Sequence, residues 1–159
     1  MRIMNESVMT TTHGDLSFPS ERDLEVFANK FASDIRVPLV IWLEGDLGAG
    51  KTAFARALIH ALGYGGRVKS PTYGLLEHYQ FGGRQVLHMD LYRIGDPGEL
   101  EFLGVPDLLD VNTILLIEWP DRGEGWIPKP DFIFRFAYAD QGRDMHWTAF
   151  TEMARACGM

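Results

Sequence analysis

Residues 37–52 read VPLVIWLEGDLGAGKT, a run that passes from an apolar segment into a glycine-rich turn. The first eight residues are almost all apolar and rich in β-branched side chains, which predicts a central strand covered on both faces. The residues after the turn, 52–62, have the apolar spacing of a helix, and Gly63 is well placed to end it. A buried strand, a tight turn and a helix in this order predict an α/β fold.

The turn itself, GDLGAGKT at residues 45–52, matches the phosphate-binding loop pattern GxxxxGK[ST] in the strand-to-helix context that the pattern requires. Its glycines let successive backbone N–H groups face one anion, and the following helix adds the positive end of its dipole. Lys51 is expected to reach the β- and γ-phosphate oxygens of a nucleotide, and the Thr52 hydroxyl to coordinate magnesium. A dinucleotide-binding turn fits less well, because the Lys-Thr pair has no role there. The candidate nucleotide-binding residues of the loop are Gly45, Asp46, Leu47, Gly48, Ala49, Gly50, Lys51 and Thr52.

Before this stretch, Ser20 and Asp23 form a possible capping box that predicts a helix over residues 21–33. Residues 16–18 are expected to form a short strand, and residues 1–15 a loose leader before a single domain, 16–159.

After the phosphate loop, Gly82 and Gly83 separate two segments with strand character and predict an antiparallel hairpin. The other predicted elements are helical turns after Asp96-Pro97 and around residues 106–109, a buried strand over 113–119, and a final hairpin around residues 140–142. The expected architecture is a three-layer α/β sandwich of the phosphate-loop NTPase kind. Its sheet is expected to be mixed, with a parallel core and antiparallel additions. The predicted strands of the two hairpins cover residues 73–80, 84–89, 132–138 and 145–151.

Two carboxylates end predicted strands, where the loops of an α/β sheet gather around a ligand. Glu118 follows the apolar run 114–117 and is expected to bind a magnesium-bound water or to polarise the attacking water. Asp90 closes residues 86–89 in the same way and is expected to reach the metal through water. Either could instead be an ordinary strand-terminal carboxylate.

A proline-fixed loop, KSPTY at residues 69–73, follows the predicted nucleotide-binding helix. Many phosphate-loop enzymes carry a segment that senses the γ-phosphate at this place. Ser70 and Thr72 are the candidate residues of such a switch-like loop, with Thr72 able to meet magnesium through water. A plain turn before a strand explains the same residues, and Trp119 fits packing as well as function.

Composition excludes several other classes of function. The chain has 22 acidic and 15 basic residues, and its formal charge of −7 disfavours nonspecific binding to nucleic acid. Its single cysteine, Cys157, supports neither an intrachain disulfide nor a thiolate zinc site, so we expect a reducing, cytoplasmic compartment. The longest apolar run, residues 37–43, is far shorter than the roughly 18 residues of a membrane span, and we expect no membrane association.

Five stretches resemble the TsaE (YjeE) family, the small bacterial ATPases of tRNA threonylcarbamoyladenosine biosynthesis. They are GDLGAGKT at 45–52, KSPTY at 69–73, HMDLYR at 88–93, PGELEFLG at 97–104 and IEWP at 117–120. The resemblance covers residues 16–143 and implies ATP and Mg²⁺ as cofactors. It implies catalytic roles for Lys51, Asp90 and Glu118, with Thr52 and Glu118 at the metal.

The same resemblance implies features that the motifs alone do not select. Glu21, Gly142 and Arg143 are implied to approach the nucleotide. The implied partners are the tRNA threonylcarbamoyl-transfer enzyme and its non-catalytic paralogue, with tRNA met through that complex. ATP hydrolysis, slow in the isolated protein, would serve threonylcarbamoyladenosine formation in tRNAs that read codons beginning with adenine.

Two other functions share the phosphate loop. A small-molecule kinase would need a second substrate pocket and usually an arginine-bearing lid, for which the chain leaves little room. A nucleotide-gated binding module would hold ATP without hydrolysing it. Phosphate release with and without partners separates the three interpretations.

Overall fold

The computed structural model describes residues 11–71 and 75–159. The strands are β1 (Thr12–Phe18), β2 (Leu39–Glu44), β3 (Leu76–Phe81), β4 (Arg84–Asp90), β5 (Thr113–Glu118), β6 (Phe132–Tyr138) and β7 (Arg143–Ala149). The α-helices are α1 (Glu21–Asp34), α2 (Lys51–Ala61), α3 (Val105–Leu108) and α4 (Glu152–Arg155), and the 3-10 helices are η1 (Pro97–Leu103) and η2 (Pro120–Gly123).

All seven strands form one mixed sheet in the order β1-β7-β6-β2-β5-β4-β3. The four central strands, β6, β2, β5 and β4, are parallel to one another. Antiparallel strands flank them on both sides, with β3 paired to β4, β7 to β6 and β1 to β7. The predicted fold class, a parallel core with antiparallel additions, is therefore confirmed.

The two faces of the sheet bury different side chains, because successive residues of a strand point to opposite faces. In β5, Ile114 and Leu116 pack on the side of α1 and α2, whereas Leu115 and Ile117 pack on the side of η1 and α3. Both faces of β5 are buried, which explains why its sequence is a continuous apolar run rather than an alternating one.

Phenylalanines dominate the core between the sheet and α1 and α2. The ring of Phe134 lies 5.3 Å from that of Phe54 and 5.5 Å from that of Phe31, in edge-to-face geometry. Phe134 and Phe54 have no exposed surface. This cluster fixes α2 against the sheet and therefore fixes the phosphate loop that precedes α2.

The predicted helix over 21–33 is confirmed as α1, and its capping box is present. The Ser20 hydroxyl accepts from the Asp23 N–H at 3.3 Å, and the Asp23 carboxylate accepts from the Ser20 N–H at 3.0 Å. The hairpin at Gly82-Gly83 is also confirmed, since β3 and β4 pair antiparallel from Phe81 opposite Arg84.

Several predicted boundaries are wrong by one to four residues. β1 begins at Thr12 rather than at residue 16, because its whole length pairs with β7, from Thr12 opposite Ala149 to Phe18 opposite Arg143. Residues 12–15 of the predicted leader therefore belong to the sheet, whereas residues 1–10 lie outside the described part of the chain. β2 begins two residues later than predicted and β7 two residues earlier.

The chain after residue 151 folds back onto the domain. Thr151 caps α4 by accepting from the Ala154 N–H at 3.1 Å. Cys157 is fully buried, and its sulfur accepts from the Arg36 N–H at 3.4 Å. Burial raises the pKa of its thiol. Within residues 11–71 and 75–159, no helix is long and apolar enough to cross a membrane.

We predict that Phe134→Ala lowers the free energy of unfolding by about 3–5 kcal/mol, because it leaves a cavity among packed rings. Chemical denaturation monitored by circular dichroism measures the change. Phe102→Ala is the matched control, since Phe102 is 90% exposed, and we expect a change within about 0.5 kcal/mol. Equal losses in both variants would contradict the assignment of the aromatic core.

Candidate nucleotide-binding site

The carboxyl ends of three parallel strands meet at the N-terminus of α2. In the register of the sheet, Glu118 at the end of β5 lies opposite Leu43 of β2 on one side and Asp90 of β4 on the other. Because β2 runs directly into the loop 45–50, both carboxylates lie beside the glycine-rich turn. Ligands of open α/β sheets bind at this edge.

A cavity of about 500 Å³ opens at this edge of the sheet. It brings together the loop, the ends of β4 and β5, and the hairpin strand β7. The described residues that line it are Leu47, Gly48, Gly50, Lys51, Thr52, Ala53, Ser70, Asp90, Tyr92, Arg93, Glu118, Trp119 and Arg143.

Lys51 is buried within the loop, with 4% of its surface exposed. Its ammonium group donates to the backbone carbonyls of Gly45 and Asp46, the latter at 2.9 Å, and lies 4.4 Å from the centre of the Trp119 ring. Burial lowers the pKa of Lys51 from its usual value, and the nearby carboxylates, Glu118 foremost, oppose that shift. The loop therefore holds a desolvated cation at the point where the motif requires one for phosphate.

Glu118 is 2% exposed and is held by two side chains. The Thr52 hydroxyl lies 3.0 Å from each carboxylate oxygen, and Nε2 of His88 lies 2.7 Å from Oε2. An ionised carboxylate only accepts hydrogen bonds, so Thr52 and His88 both donate. Nδ1 of His88 is buried without a hydrogen-bond partner among the described residues. This contact links the loop threonine to the strand-end glutamate, so the two residues predicted to hold a metal lie within hydrogen-bond distance of each other.

Asp90 is 9% exposed, and its carboxylate accepts from the Tyr92 N–H at 3.0 Å. Burial raises the pKa of Asp90, and the charge of Glu118 adds to this effect, whereas the Tyr92 N–H, His88 and Lys51 oppose it. Two neighbouring strand ends thus carry carboxylates in a shielded place. Such an arrangement is more typical of a functional site than of a stabilising one.

Trp119 forms one wall of the cavity and has an unusual backbone conformation. Its φ of 56° lies in the left-handed region, which is rare for a bulky residue and is often found at functional sites. Its ring lies 5.0 Å from that of Tyr92, and the guanidinium of Arg122 lies 5.5 Å from it and donates to the Tyr92 carbonyl at 2.7 Å. The position of Trp119 next to Lys51 favours the functional interpretation over simple packing.

Arg143 reaches the loop from the opposite side. It donates to the Glu21 carboxylate at 2.6 Å, and its Nη1 is buried with no hydrogen-bond partner in the described parts of the chain. Gly50 has a φ of 127°, and a Cβ there would lie 2.6 Å from Nη1 and Cδ of Arg143. Only glycine therefore lets the arginine lie against the loop.

Five of the predicted site residues are not among the described residues that line the cavity. They are Glu21, Gly45, Asp46, Ala49 and Gly142. Glu21 holds Arg143, and the carbonyls of Gly45 and Asp46 hold Lys51, whereas Ala49 is buried. Gly142, at φ 77°, packs against the backbone of residues 18 and 19, so its close contact is with the β1–α1 junction.

The switch-like loop is described only in part. Ser70 lines the cavity. Thr72 lies outside the described residues, so its role stays a prediction, and the strand predicted from residue 73 is described only from Leu76.

The chemistry of the cavity fits a triphosphate with magnesium. α2 has no side-chain cap at its N-terminus, so its first N–H groups are available to an anion, and Lys51 and the unpaired Nη1 of Arg143 supply positive charge. Thr52 and Glu118 offer the oxygen donors that Mg²⁺ prefers, with the remaining positions left to phosphate and water. No group of three or more His, Cys, Asp or Glu side chains suited to a metal occurs within residues 11–71 and 75–159. A metal held by two protein residues and phosphate is the arrangement that these donors suit.

Sequence reasoning missed three residues of the site. His88 is not among the predicted site residues, although it precedes Asp90 by two positions and therefore shares its face of β4. Tyr92 and Arg93, which line the cavity, follow that strand, whereas His88 reaches the site through Glu118. The period-two alternation of β4 predicts that His88 lies on the same face as Asp90. No sequence pattern predicts the turn that places Tyr92 against Trp119.

Comparison with known proteins agrees with the geometry. The profile of a family described as "Threonylcarbamoyl adenosine biosynthesis protein TsaE" matches residues 18–145. The chain belongs to the TsaE family. The resemblance inferred from the five sequence stretches is therefore confirmed, and the family name connects the chain with threonylcarbamoyladenosine biosynthesis.

Curated members of the TsaE family match most of the chain. The chain is similar to the Haemophilus influenzae tRNA threonylcarbamoyladenosine biosynthesis protein TsaE, with 39% identity over 142 residues, 86% of this chain and 90% of that protein. It is also similar to the Borreliella burgdorferi protein of the same name, with 34% identity over 80% of this chain and 94% of that protein. A crystal structure of Bacillus subtilis YdiB has the same fold, with a TM-score of 0.69, 23% identity and coverage of 96% and 94% of the two chains.

We predict that Asp90→Asn raises the midpoint of thermal unfolding by a few degrees near neutral pH in a buffer containing EDTA. Because the folded-state pKa of Asp90 is raised, its ionised form costs stability at neutral pH. That cost shrinks as the pH falls through the raised folded-state pKa, and it is gone below about 4, the ordinary pKa of aspartate, where both states are protonated. The gain should therefore shrink on acidification. Glu25→Gln, on the exposed face of α1, is the control, and a gain that grows at low pH would contradict the burial of Asp90.

Proposed function

We propose that this protein hydrolyses ATP to support threonylcarbamoyladenosine formation in tRNAs that read codons beginning with adenine. The observation that carries the proposal is the convergence of Lys51, Thr52 and Glu118 at the N-terminus of α2 in a member of the TsaE family. We place the activity in the cytoplasm, where the tRNA substrate is made. Further support comes from Asp90 and Arg143, which complete a cavity with cationic, hydroxyl and carboxylate groups.

In this proposal the loop backbone and Lys51 bind the β- and γ-phosphates. Lys51 must exchange its contacts with the carbonyls of Gly45 and Asp46 for phosphate oxygens, which are stronger partners because both members of the pair are charged. Arg143 supplies a second cation, whose unpaired Nη1 gains a partner on binding. ATP is preferred over GTP on the strength of family membership alone.

Glu118 orients the attacking water and accepts its proton. His88 and Thr52 hold the carboxylate, so it does not have to be ordered when the reaction begins. Thr52 and Glu118 would also hold Mg²⁺, with Asp90 acting through water. Magnesium, when bound, neutralises charge on the phosphates.

The proposed partners are the threonylcarbamoyl-transfer enzyme and its non-catalytic paralogue, and tRNA is reached through their complex. The γ-phosphate would order the switch-like loop with Ser70 and Thr72, and hydrolysis would release it. Binding to the partners would then differ between the ATP and ADP states, which is the requirement for a cycle. The protein alone would turn over slowly.

We predict that Lys51→Ala abolishes ATP binding in isothermal titration calorimetry, because it removes a cation from a water-poor loop. Lys30→Ala is the matched control, since Lys30 is an exposed lysine on α1 that pairs with Asp34. It should bind ATP as the wild type does. Wild-type affinity in Lys51→Ala would remove the basis of the phosphate-loop assignment.

A second prediction separates binding from hydrolysis. Glu118→Gln keeps the size of the side chain but loses the negative charge, so kcat should fall by about 10²-fold or more while ATP affinity changes little. Glu44→Gln is the control, because Glu44 also ends a strand but pairs with Arg135 outside the cavity. Phosphate release is measured with the partners present, and equal kcat in Glu118→Gln and wild type would argue against the role of Glu118.

Reconstitution tests the whole proposal. The wild-type protein is mixed with the two partner proteins, tRNA, threonylcarbamoyl-adenylate and ATP, and modified nucleoside is quantified by mass spectrometry. We expect repeated rounds of modification only when this protein is present with Lys51 and Glu118 intact. Phosphate transfer to a metabolite would indicate a kinase instead. Repeated rounds of modification without this protein, or with the Lys51→Ala variant, would contradict the cycling role and favour the nucleotide-gated module or the kinase.

A further inference from the structure

The net charge of the protein is concentrated in one segment of the chain. Residues 94–125 contain eight of the 22 acidic residues and only one of the 15 basic residues, Arg122. This segment therefore carries a formal charge of −7, and the rest of the chain is neutral. Seven of the eight carboxylates are exposed, the exception being Glu118. The segment includes η1, α3 and η2, which cover the face of the sheet opposite α1 and α2.

An apolar cavity of about 430 Å³ opens in the same region. Its walls come from the η1 and α3 segment, with Leu100 and Val105, and from the chain after η2, with Trp126 and Ile127. Two aromatic side chains of this region are exposed to solvent. Phe102 is 90% exposed and Trp126 is 49% exposed. Large apolar side chains at the surface around a cavity are typical of an interaction site.

We propose that this surface, the cavity together with Phe102, Trp126 and the exposed carboxylates of Glu101 and Asp107, docks a basic segment of a partner protein. An apolar side chain of the partner fills the cavity, and its lysine or arginine residues face the carboxylates. Glu101 lines the cavity and Asp107 on α3 is exposed, so both are placed for such contacts. This inference rests on the proposed function only in that it assigns a surface to the partner complex.

The charge of the surface discriminates between possible occupants. RNA would be disfavoured by the excess negative charge of residues 94–125, whose one basic residue, Arg122, already donates to the Tyr92 carbonyl. A second copy of the chain, related by a two-fold axis, would bring the same acidic patch against itself. A basic protein segment satisfies both the charge and the apolar cavity, because complementary charges steer encounter while a buried apolar anchor supplies affinity.

The surface is also connected to the nucleotide site. Trp119, which lies against Lys51, directly precedes η2, and the chain leaves η2 to form the cavity wall at residues 125–128. Gly123 of η2 packs tightly, since a Cβ there would meet Leu91 at 2.6 Å and Leu100 at 3.0 Å. The 3-10 turn η2 is therefore a closely packed link between Trp119 and the wall of the docking surface.

Site-specific photo-crosslinking tests the inference. Phe102→p-benzoylphenylalanine is expressed as the full chain in its native cell, and crosslinked peptides are identified by mass spectrometry. Val26→p-benzoylphenylalanine is the control, because Val26 is an exposed apolar residue on α1. A second version of the Phe102 protein carries Glu101→Lys and Asp107→Lys. Thermal unfolding shows whether each variant is folded, and we expect all to be folded because the changed residues are exposed.

We expect a crosslink from position 102 to a protein peptide in which lysine or arginine flanks an apolar residue. The yield should fall at least tenfold in the charge-reversed version and should decrease with salt, while the Val26 control gives no such product. A yield unaffected by charge reversal, a crosslink to RNA, a crosslink to a second copy of the chain, or no product above the control would each overturn the inference.

The same experiment separates this inference from the proposed function. A basic peptide from a protein other than the transfer enzyme or its paralogue would support the docking surface and contradict the proposed partners. Successful reconstitution of tRNA modification without a crosslink at position 102 would support the proposed function and contradict the docking surface.

Discussion

The parallel alignment of β2, β5 and β4 is the constraint on which the site depends. Parallel strands end at the same edge of a sheet, so the glutamate after β5 and the aspartate after β4 lie next to the loop that follows β2. The order β2-β5-β4 places Glu118 between the loop and Asp90. If β4 and β5 exchanged places, the hydrogen bond from Thr52 to Glu118 would be lost although every local element remained the same.

This alignment brings ionisable side chains together in a buried place, where a charged group loses its favourable hydration. Lys51, His88, Asp90 and Glu118 are each at most 9% exposed, and burial perturbs the pKa of Lys51 and Asp90 in the directions that favour their neutral forms. Hydrogen bonds hold the cluster in place. His88 contacts Glu118, Lys51 donates to two loop carbonyls, and Asp90 accepts from the Tyr92 N–H. Trp119, with its left-handed backbone, adds local strain at the same point. Stability elsewhere in the domain offsets these costs, a common arrangement around reactive sites.

Positive and negative side chains also lie in different regions of the protein. The cations that suit phosphate, Lys51 and Arg143, line the cavity at the strand ends, whereas the excess carboxylates lie along residues 94–125. The first arrangement suits a small anion within a loop, and the second disfavours a long polyanion on the adjacent face. Both arrangements fit the proposed function, in which the protein binds a nucleotide and other proteins hold the tRNA. The 3-10 turn η2, which directly follows Trp119, lies between the two regions, and its Gly123 packs against Leu91 and Leu100.

Local pattern was enough to predict the phosphate loop, the hairpin at Gly82-Gly83, the capping box at Ser20 and the two strand-end carboxylates, because each of these depends on neighbouring residues. The α/β class and the TsaE family followed from the same stretches.

Tertiary structure alone decided the early start of β1 at Thr12. It also decided two contacts between distant residues: His88 with Glu118, 30 residues apart, and Arg143 with Glu21, 122 residues apart. It also buried Cys157 against Arg36 across 121 residues. Strand order and register bring these partners together, and a periodic pattern reports which face of an element is buried but not what lies against that face.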